Sequence, residues 1–152
     1  MIFRVIKGIR VARYWLKAVN LTAKDQNEEA RCFLIKIENF DPKNFPEVKL
    51  LLAFNELKLE NFKQSWNAIK EFQKEIEYSS VYTWDDKNYM LSYANRILDK
   101  IGKAQSGLEL RFLGDPSKIC LEKVSDRVRS TFPLPNHVDY RDYIENKRLK
   151  MS

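Results

Sequence analysis

The sequence predicts an all-α fold: stacked antiparallel helical hairpins with a C-terminal capping helix. Three observations predict it. Residues 45–78, FPEVKLLLAFNELKLENFKQSWNAIKEFQKEIEY, divide into two helical stretches with a turn near Glu60–Asn61. In the second stretch Phe62, Trp66, Ile69, Phe72 and Ile76 recur at spacings of three and four, one face of a helix of about 3.6 residues per turn. The same small–large–large stripe occurs 35 residues earlier, where Ala30, Leu34 and Ile37 precede Ser65, Ile69 and Phe72. The first stretch of the hairpin, with Val48, Leu50, Leu51, Leu52, Ala53, Phe54, Leu57 and Leu59, is apolar nearly all round. Such a helix needs neighbours on more than one side, which a lone hairpin cannot supply and a stack can.

Taken in order, the first helix is expected over Phe3–Asn20. Val5, Ile9, Ala12, Leu16 and Val19 cluster on one side as its packing face, and Arg4, Lys7, Arg10, Arg13 and Lys17 spread over the other half, with Phe3 and Tyr14 among them. Asp25 is expected to cap the second helix, with Glu28 three residues on, and that helix runs to about Phe40. Asp41-Pro42-Lys43-Asn44 stops it, because proline disfavours helix in the residue before it. After the central hairpin, Thr83 caps a further helix whose buried stripe is Leu91, Ala94, Leu98 and Ile101 and which ends at Gly102. Tyr89 and Tyr93 lie on an adjoining face. Leu108–Phe112 alternates with period two and reads as an extended segment. Asp115-Pro116 opens a capping helix to about Arg129, packed through Ile119, Cys120, Val124 and Val128. A last helix over Val138–Lys147 follows Pro133-Leu134-Pro135. The domain is therefore expected over residues 1–131, with 132–152 as an extension carrying a short helix.

At this point the residues resemble the tetratricopeptide repeat, a family with a period of about 34 residues. Ala30 and Ser65 stand at its small position early in the second helix, and Asp41, Pro42 and Asn44 match its Asp-Pro-x-Asn ending. The resemblance covers roughly residues 12–101. The family's Leu-Gly pair is absent, with Leu52-Ala53 nearest to it, and the second copy ends in Tyr78-Ser79-Ser80. A plain helical bundle is the rival architecture. The resemblance implies a protein-binding scaffold. It does not imply the family's grip on a terminal carboxylate, because Trp15, Val19, Leu51, Tyr82 and Asp86 occupy the positions of that lysine, asparagine and arginine set.

Composition narrows the function classes. The chain has 152 residues, 32% of them charged, with only four glycines and five prolines. Its net charge of +6 is uneven: residues 1–24 carry six cations and no acid, whereas residues 25–80 come to −3. No apolar run approaches the roughly 20 residues that span a bilayer, no secretory signal is evident, and a cytoplasmic location is expected. Cys32 and Cys120 are expected to be buried free thiols rather than a disulfide framework. There is one histidine, His137, and no pair of residues at metal-ligand spacing. Neither glycine-rich phosphate loop is present. No catalytic residue, cofactor or metal is expected.

The leading expectation is a non-enzymatic module that binds a protein or peptide, acidic ones included, in a groove lined by Lys7, Arg10, Tyr14, Lys17, Asn55, Lys58, Tyr89 and Tyr93. The alternative is RNA or an anionic surface bound through Arg4, Lys7, Arg10 and Arg13. A membrane is disfavoured here, because it would need Val5, Ile9 and Leu16 turned outward rather than packed on residues 25–40. The sequence leaves the oligomeric state open.

Overall fold

The computed structural model describes residues 2–40, 45–105 and 120–134, with side chains from Gly8 onward. Among these residues it holds six α-helices, one 3-10 turn and no strand: α1 (Ile2–Ala23), α2 (Asn27–Phe40), α3 (Pro46–Lys58), α4 (Phe62–Tyr78), α5 (Trp84–Ala104) and α6 (Asp126–Thr131), the 3-10 turn Leu121–Lys123 lying before α6. The chain forms two compact units, Met1–Ser79 with Ile97–Leu110, and Ser80–Arg96 with Arg111–Ser152. The expected segment Leu108–Phe112, the stop at Asp41–Asn44 and the helix over Val138–Lys147 lie outside the described residues.

In the first unit α1 packs on α2, α2 on α3 and α3 on α4, and α1 also touches α3. The two hairpins are closed by the same turn. Asp25 and Glu60, 35 residues apart, both take left-handed backbone with φ of 61° and 62°. Asp25 N–H donates to Thr22 O at 3.0 Å and Gln26 N–H to Leu21 O at 2.9 Å; Glu60 N–H donates to Leu57 O at 3.0 Å and Asn61 N–H to Glu56 O at 2.8 Å. Each pair is a Schellman closure, which satisfies the orphan carbonyls at a helix end. The next helix then starts alike, with Ala30 N–H on Gln26 O at 3.1 Å and Ser65 N–H on Asn61 O at 2.9 Å. Asp25 therefore terminates α1 rather than capping α2, contrary to the sequence expectation. Its carboxylate Oδ1 accepts from Asn27 Nδ2 at 2.9 Å.

The core follows the same 35-residue register. Ala18 and Ala53 on the first helices, and Ala30 and Ser65 on the second, are fully buried. Residues this small let paired helix axes approach closely, and Ser65 Oγ donates to Ala53 O at 2.6 Å across the second hairpin. Leu34 and Ile69, then Ile37 and Phe72, complete the matched stripe.

Glycine is the usual residue at a left-handed helix end because it has no Cβ to clash. Glu60→Gly is accordingly expected to raise stability by about 0.5–1 kcal/mol, read as a higher urea midpoint. Asp25→Gly gains less, since it also removes the acceptor of Asn27.

Two expectations are corrected here. The packing face of α1 is Val11 and Ala18, with Tyr14, Trp15, Leu21 and Thr22 half-buried, whereas Ile9, Ala12 and Leu16 are exposed and Val19 is half-buried. The long capping helix is also absent among the described residues. Val124 is extended with ψ 132°, which breaks the run between the 3-10 turn and the six-residue α6.

In the second unit Thr83 caps α5 as expected, its hydroxyl accepting from Asp86 N–H at 3.2 Å. Asp86 Oδ1 accepts from Ser125 N–H at 2.8 Å, and Ser125 Oγ in turn caps α6 by accepting from Val128 N–H. Phe132 packs on Tyr93 with ring centroids 5.2 Å apart, and Met90, Ala94, Val124 and Val128 complete this small core.

Candidate functional site

Helix α1 carries no acidic residue, and its described outer half presents Arg10, Arg13 and Lys17 to solvent. Tyr14 sits at the edge of that face and meets α2. Its ring lies 5.8 Å from Phe33 and 6.2 Å from Phe40, centroid to centroid. On α2, Phe33, Lys36 and Phe40 recur at helical spacing beside the core stripe, so they share a side without entering the interior. Lys17 Nζ lies 5.3 Å from the Phe33 centroid, and Lys36 Nζ lies 5.0 Å from Phe33 and 5.6 Å from Tyr14. At these distances the ammonium groups are drawn to the ring faces. Arg10, Arg13, Tyr14, Lys17, Phe33, Lys36 and Phe40 thus form a cationic and aromatic surface built from two helices.

The structure brings together four of the residues expected from sequence, Arg10, Arg13, Tyr14 and Lys17. The side chains of Arg4 and Lys7 lie outside the described residues. Lys58 is exposed at the end of α3, with its ammonium 5.8 Å from the Phe54 ring. It borders an open depression of about 650 Å³ lined also by Asp25, Glu28, Glu29 and Cys32. Asn55, Tyr89 and Tyr93 are corrected: each is buried. Asn55 donates to Leu51 O at 3.0 Å and accepts from the Thr22 hydroxyl at 3.3 Å. Tyr89 accepts from Leu134 N–H at 3.1 Å through its phenol oxygen. Burial pushes the phenol pKa of both tyrosines up; the Leu134 hydrogen bond and the Arg129 and Arg96 charges pull back at Tyr89, and Arg96 pulls back at Tyr93. The thiols are corrected too, since Cys32 is exposed and Cys120 half-buried.

Sequence reasoning missed Phe33, Lys36 and Phe40. Their signal is a second stripe at i, i+3 and i+7 on α2, beside the Ala30–Leu34–Ile37 packing stripe.

Sequence reasoning also missed a charged cluster inside the first unit. Lys49 of α3 is almost covered, and its ammonium lies 2.6 Å from Glu38 of α2 and 2.7 Å from Glu71 of α4. Burial pulls the Lys49 pKa down, but the hydrogen bonds and charges of Glu38 and Glu71 outweigh it and leave it raised above 10.5. Glu75 stands nearby with its carboxyl pKa raised, first by burial and then by Glu71, Glu38 and Glu47, against the lowering charge of Lys49. Arg31 of α2 pairs with the buried Glu56 of α3. The α2–α3 seam is therefore pinned by two ion pairs.

Among the described residues no group of three or more histidines, cysteines or carboxylates is arranged to hold a metal ion. No described helix is long and apolar enough to cross a membrane. No protein-family model, curated protein or solved structure matches the chain.

Proposed function

We propose that the chain is a non-enzymatic scaffold module that binds an acidic protein or peptide, built as a tetratricopeptide-like stack of helical hairpins. The observation that carries the reading is the surface of Arg10, Arg13, Tyr14, Lys17, Phe33, Lys36 and Phe40, in which cations stand over half-buried rings. Carboxylates find several cationic partners there, and rigid rings beside them supply contact area at little entropic cost. The shared Schellman turns at Asp25 and Glu60 support the repeat architecture. Free thiols suit a cytoplasmic setting.

RNA is the second reading, favoured by the rings beside Lys17 and Lys36, since bases stack on aromatic faces next to phosphate-binding cations. It ranks lower because the rings pack on one another and Lys17 and Lys36 already lie against their faces.

The test is affinity capture from a lysate of the source cell, comparing the full chain with its Arg10→Gln, Arg13→Gln, Lys17→Gln, Lys36→Gln variant, each with and without ribonuclease. The expected result is a set of proteins held by the wild type, lost from the variant and indifferent to ribonuclease. Capture unchanged in the variant would overturn the reading. Capture abolished by ribonuclease would move it to RNA.

A further inference from the structure

The two hairpins can be compared position by position, and the comparison singles out one face. Leu16 of α1 is 63% exposed, whereas Leu51, 35 residues on in α3, is 1% exposed. Ala12, Arg13 and Asn20 are exposed, whereas their counterparts Glu47, Val48 and Asn55 are buried. The difference follows from neighbours. Helix α3 packs on its own partner α4 and also on the hairpin before it, α1–α2. The Thr22 hydroxyl hydrogen-bonded to Asn55 marks where α1 reaches that face of α3. The same face on α1 is left open, and it carries Ile9, 55% exposed, one heptad before Leu16. Seven residues of helix separate the two side chains by about 10.5 Å, two turns along one line.

We infer that the outer face of α1, Ile9, Ala12 and Leu16 flanked by Arg10, Arg13 and Lys17, is a docking seam for an acidic amphipathic α-helix of a partner protein. The inference rests on the protein-binding reading above and names the partner's chemistry. The internal repeat supplies the shape of the occupant, because a helical hairpin is what covers this face on α3. Charge supplies its sign. The seam on α3 is crossed by ion pairs, Lys49 with Glu38 and Arg31 with Glu56. On α1 every charged residue is a cation, so the carboxylates must come from the partner. A second copy of α1 does not fit, since two such helices would set cation against cation. The partner helix places apolar residues at i, i+3 or i+4 and i+7 against Ile9 and Leu16, and glutamates or aspartates on the flank toward Arg10, Arg13 and Lys17.

This outcome also changes the case for membranes. The packing that disfavoured a lipid surface in the sequence reading assigned Ile9 and Leu16 to the interior, and they are exposed. Lipid is therefore one arm of the test.

The probe is a synthetic 18-residue helical peptide with leucines at i, i+3, i+7 and i+10 and glutamates on one flank, titrated into the isotope-labelled full chain and followed by amide NMR. A peptide of the same composition in scrambled order is the control. The expected result is shift changes centred on Ile9, Ala12, Arg13 and Leu16, absent with the scrambled peptide. Affinity is expected to fall at least about tenfold in Ile9→Gln, Leu16→Gln, and by a similar factor in Arg10→Gln, Arg13→Gln, Lys17→Gln. These side chains are exposed, so both variants keep the fold, which the spectrum itself verifies. Four results would overturn the inference: no shifts at roughly millimolar peptide, equal binding of the scrambled peptide, unchanged binding in the Ile9/Leu16 variant, or a wild-type dimer by light scattering that disperses on Leu16→Gln. A further arm uses phosphatidylserine–phosphatidylcholine vesicles; capture by vesicles through Ile9 and Leu16 without peptide binding assigns the face to lipid and also overturns it. Shifts confined to Tyr14, Phe33 and Phe40 remove the docking seam but leave the protein-binding reading standing.

Discussion

Replacing Lys49 by alanine is expected to destabilise the first unit by about 3 kcal/mol at pH 7. The ammonium lies among Glu38, Glu71, Glu75 and Glu47, and it touches carboxylates from the helices on both sides of α3. Removing one partner of a buried pair strands the others without compensation, which costs more than the pair contributes while intact. Glu71 is more than half exposed, so solvent screens part of the effect and the figure stays at the lower end of the usual range. The pH dependence separates this cause from simple loss of packing. In the wild type the raised Lys49 pKa means that its stabilisation is fully present below 10.5 and is lost as pH rises through the folded value. In the alanine variant Glu75 loses the Lys49 charge that lowers its already raised pKa, so it binds protons more readily folded than unfolded and stability rises as pH falls. Urea midpoints of the two proteins should therefore converge between about pH 7 and pH 4.5. A gap that stays constant over that window would assign the loss to packing alone.

The central hairpin was legible because its pattern allowed one solution. On α4 the polar residues Lys63, Gln64, Asn67, Lys70, Glu71 and Lys74 leave a single apolar stripe, and α3 is so apolar that it must lie inside. Helix α1 was not legible, because it has two apolar stripes. Ile9, Ala12 and Leu16 outweigh Val11 and Ala18 in hydrophobic area, so summing hydrophobicity turns the wrong face inward. The fold instead buries Ala18, as it buries Ala53, its counterpart in the second hairpin. The Schellman turns gave no local signal either, since neither Asp25 nor Glu60 is the glycine that marks such ends.

The candidate site was half legible for a related reason. Its cations could be read from charge asymmetry in residues 1–24, but its second wall on α2 could not be read from α1. Tyr89, Tyr93 and Asn55, with their polar atoms, were expected in a groove lined by the first helix of each pair. Those atoms instead meet groups inside the fold, as with Leu134 at Tyr89 and Leu51 at Asn55, and a buried polar atom with a partner is indistinguishable in sequence from an exposed one. The capping helix failed at Val124. Ile119, Cys120, Val124 and Val128 keep a helical period, but Ser125 binds both Asp86 and the first turn of α6, which starts a new helix there.

Phe72→Ala is expected to cost about 4 kcal/mol, the largest effect of any single truncation in the first unit. Phe72 is fully buried and belongs to the stripe Ser65–Ile69–Phe72 that faces α3. Truncation removes most of a ring from a close-packed interior, and the loss adds the cost of the remaining cavity to that of the lost transfer energy. The internal repeat sets a graded control. The counterpart of Phe72 is Ile37, also fully buried, so a β-branched aliphatic side chain is compatible with this register of the hairpin. Phe72→Ile should therefore cost about 1.5 kcal/mol, most of it lost volume. Ile37→Phe, the reverse exchange, should also destabilise, by about 1–3 kcal/mol, because the first hairpin has packed around a smaller side chain. Chemical denaturation of the three variants measures the series. The ordering Phe72→Ala well below Phe72→Ile is what a matched 35-residue register requires. Equal losses for both would mean that Phe72 fills a space with no counterpart around Ile37, and that the two hairpins share their turns without sharing their packing.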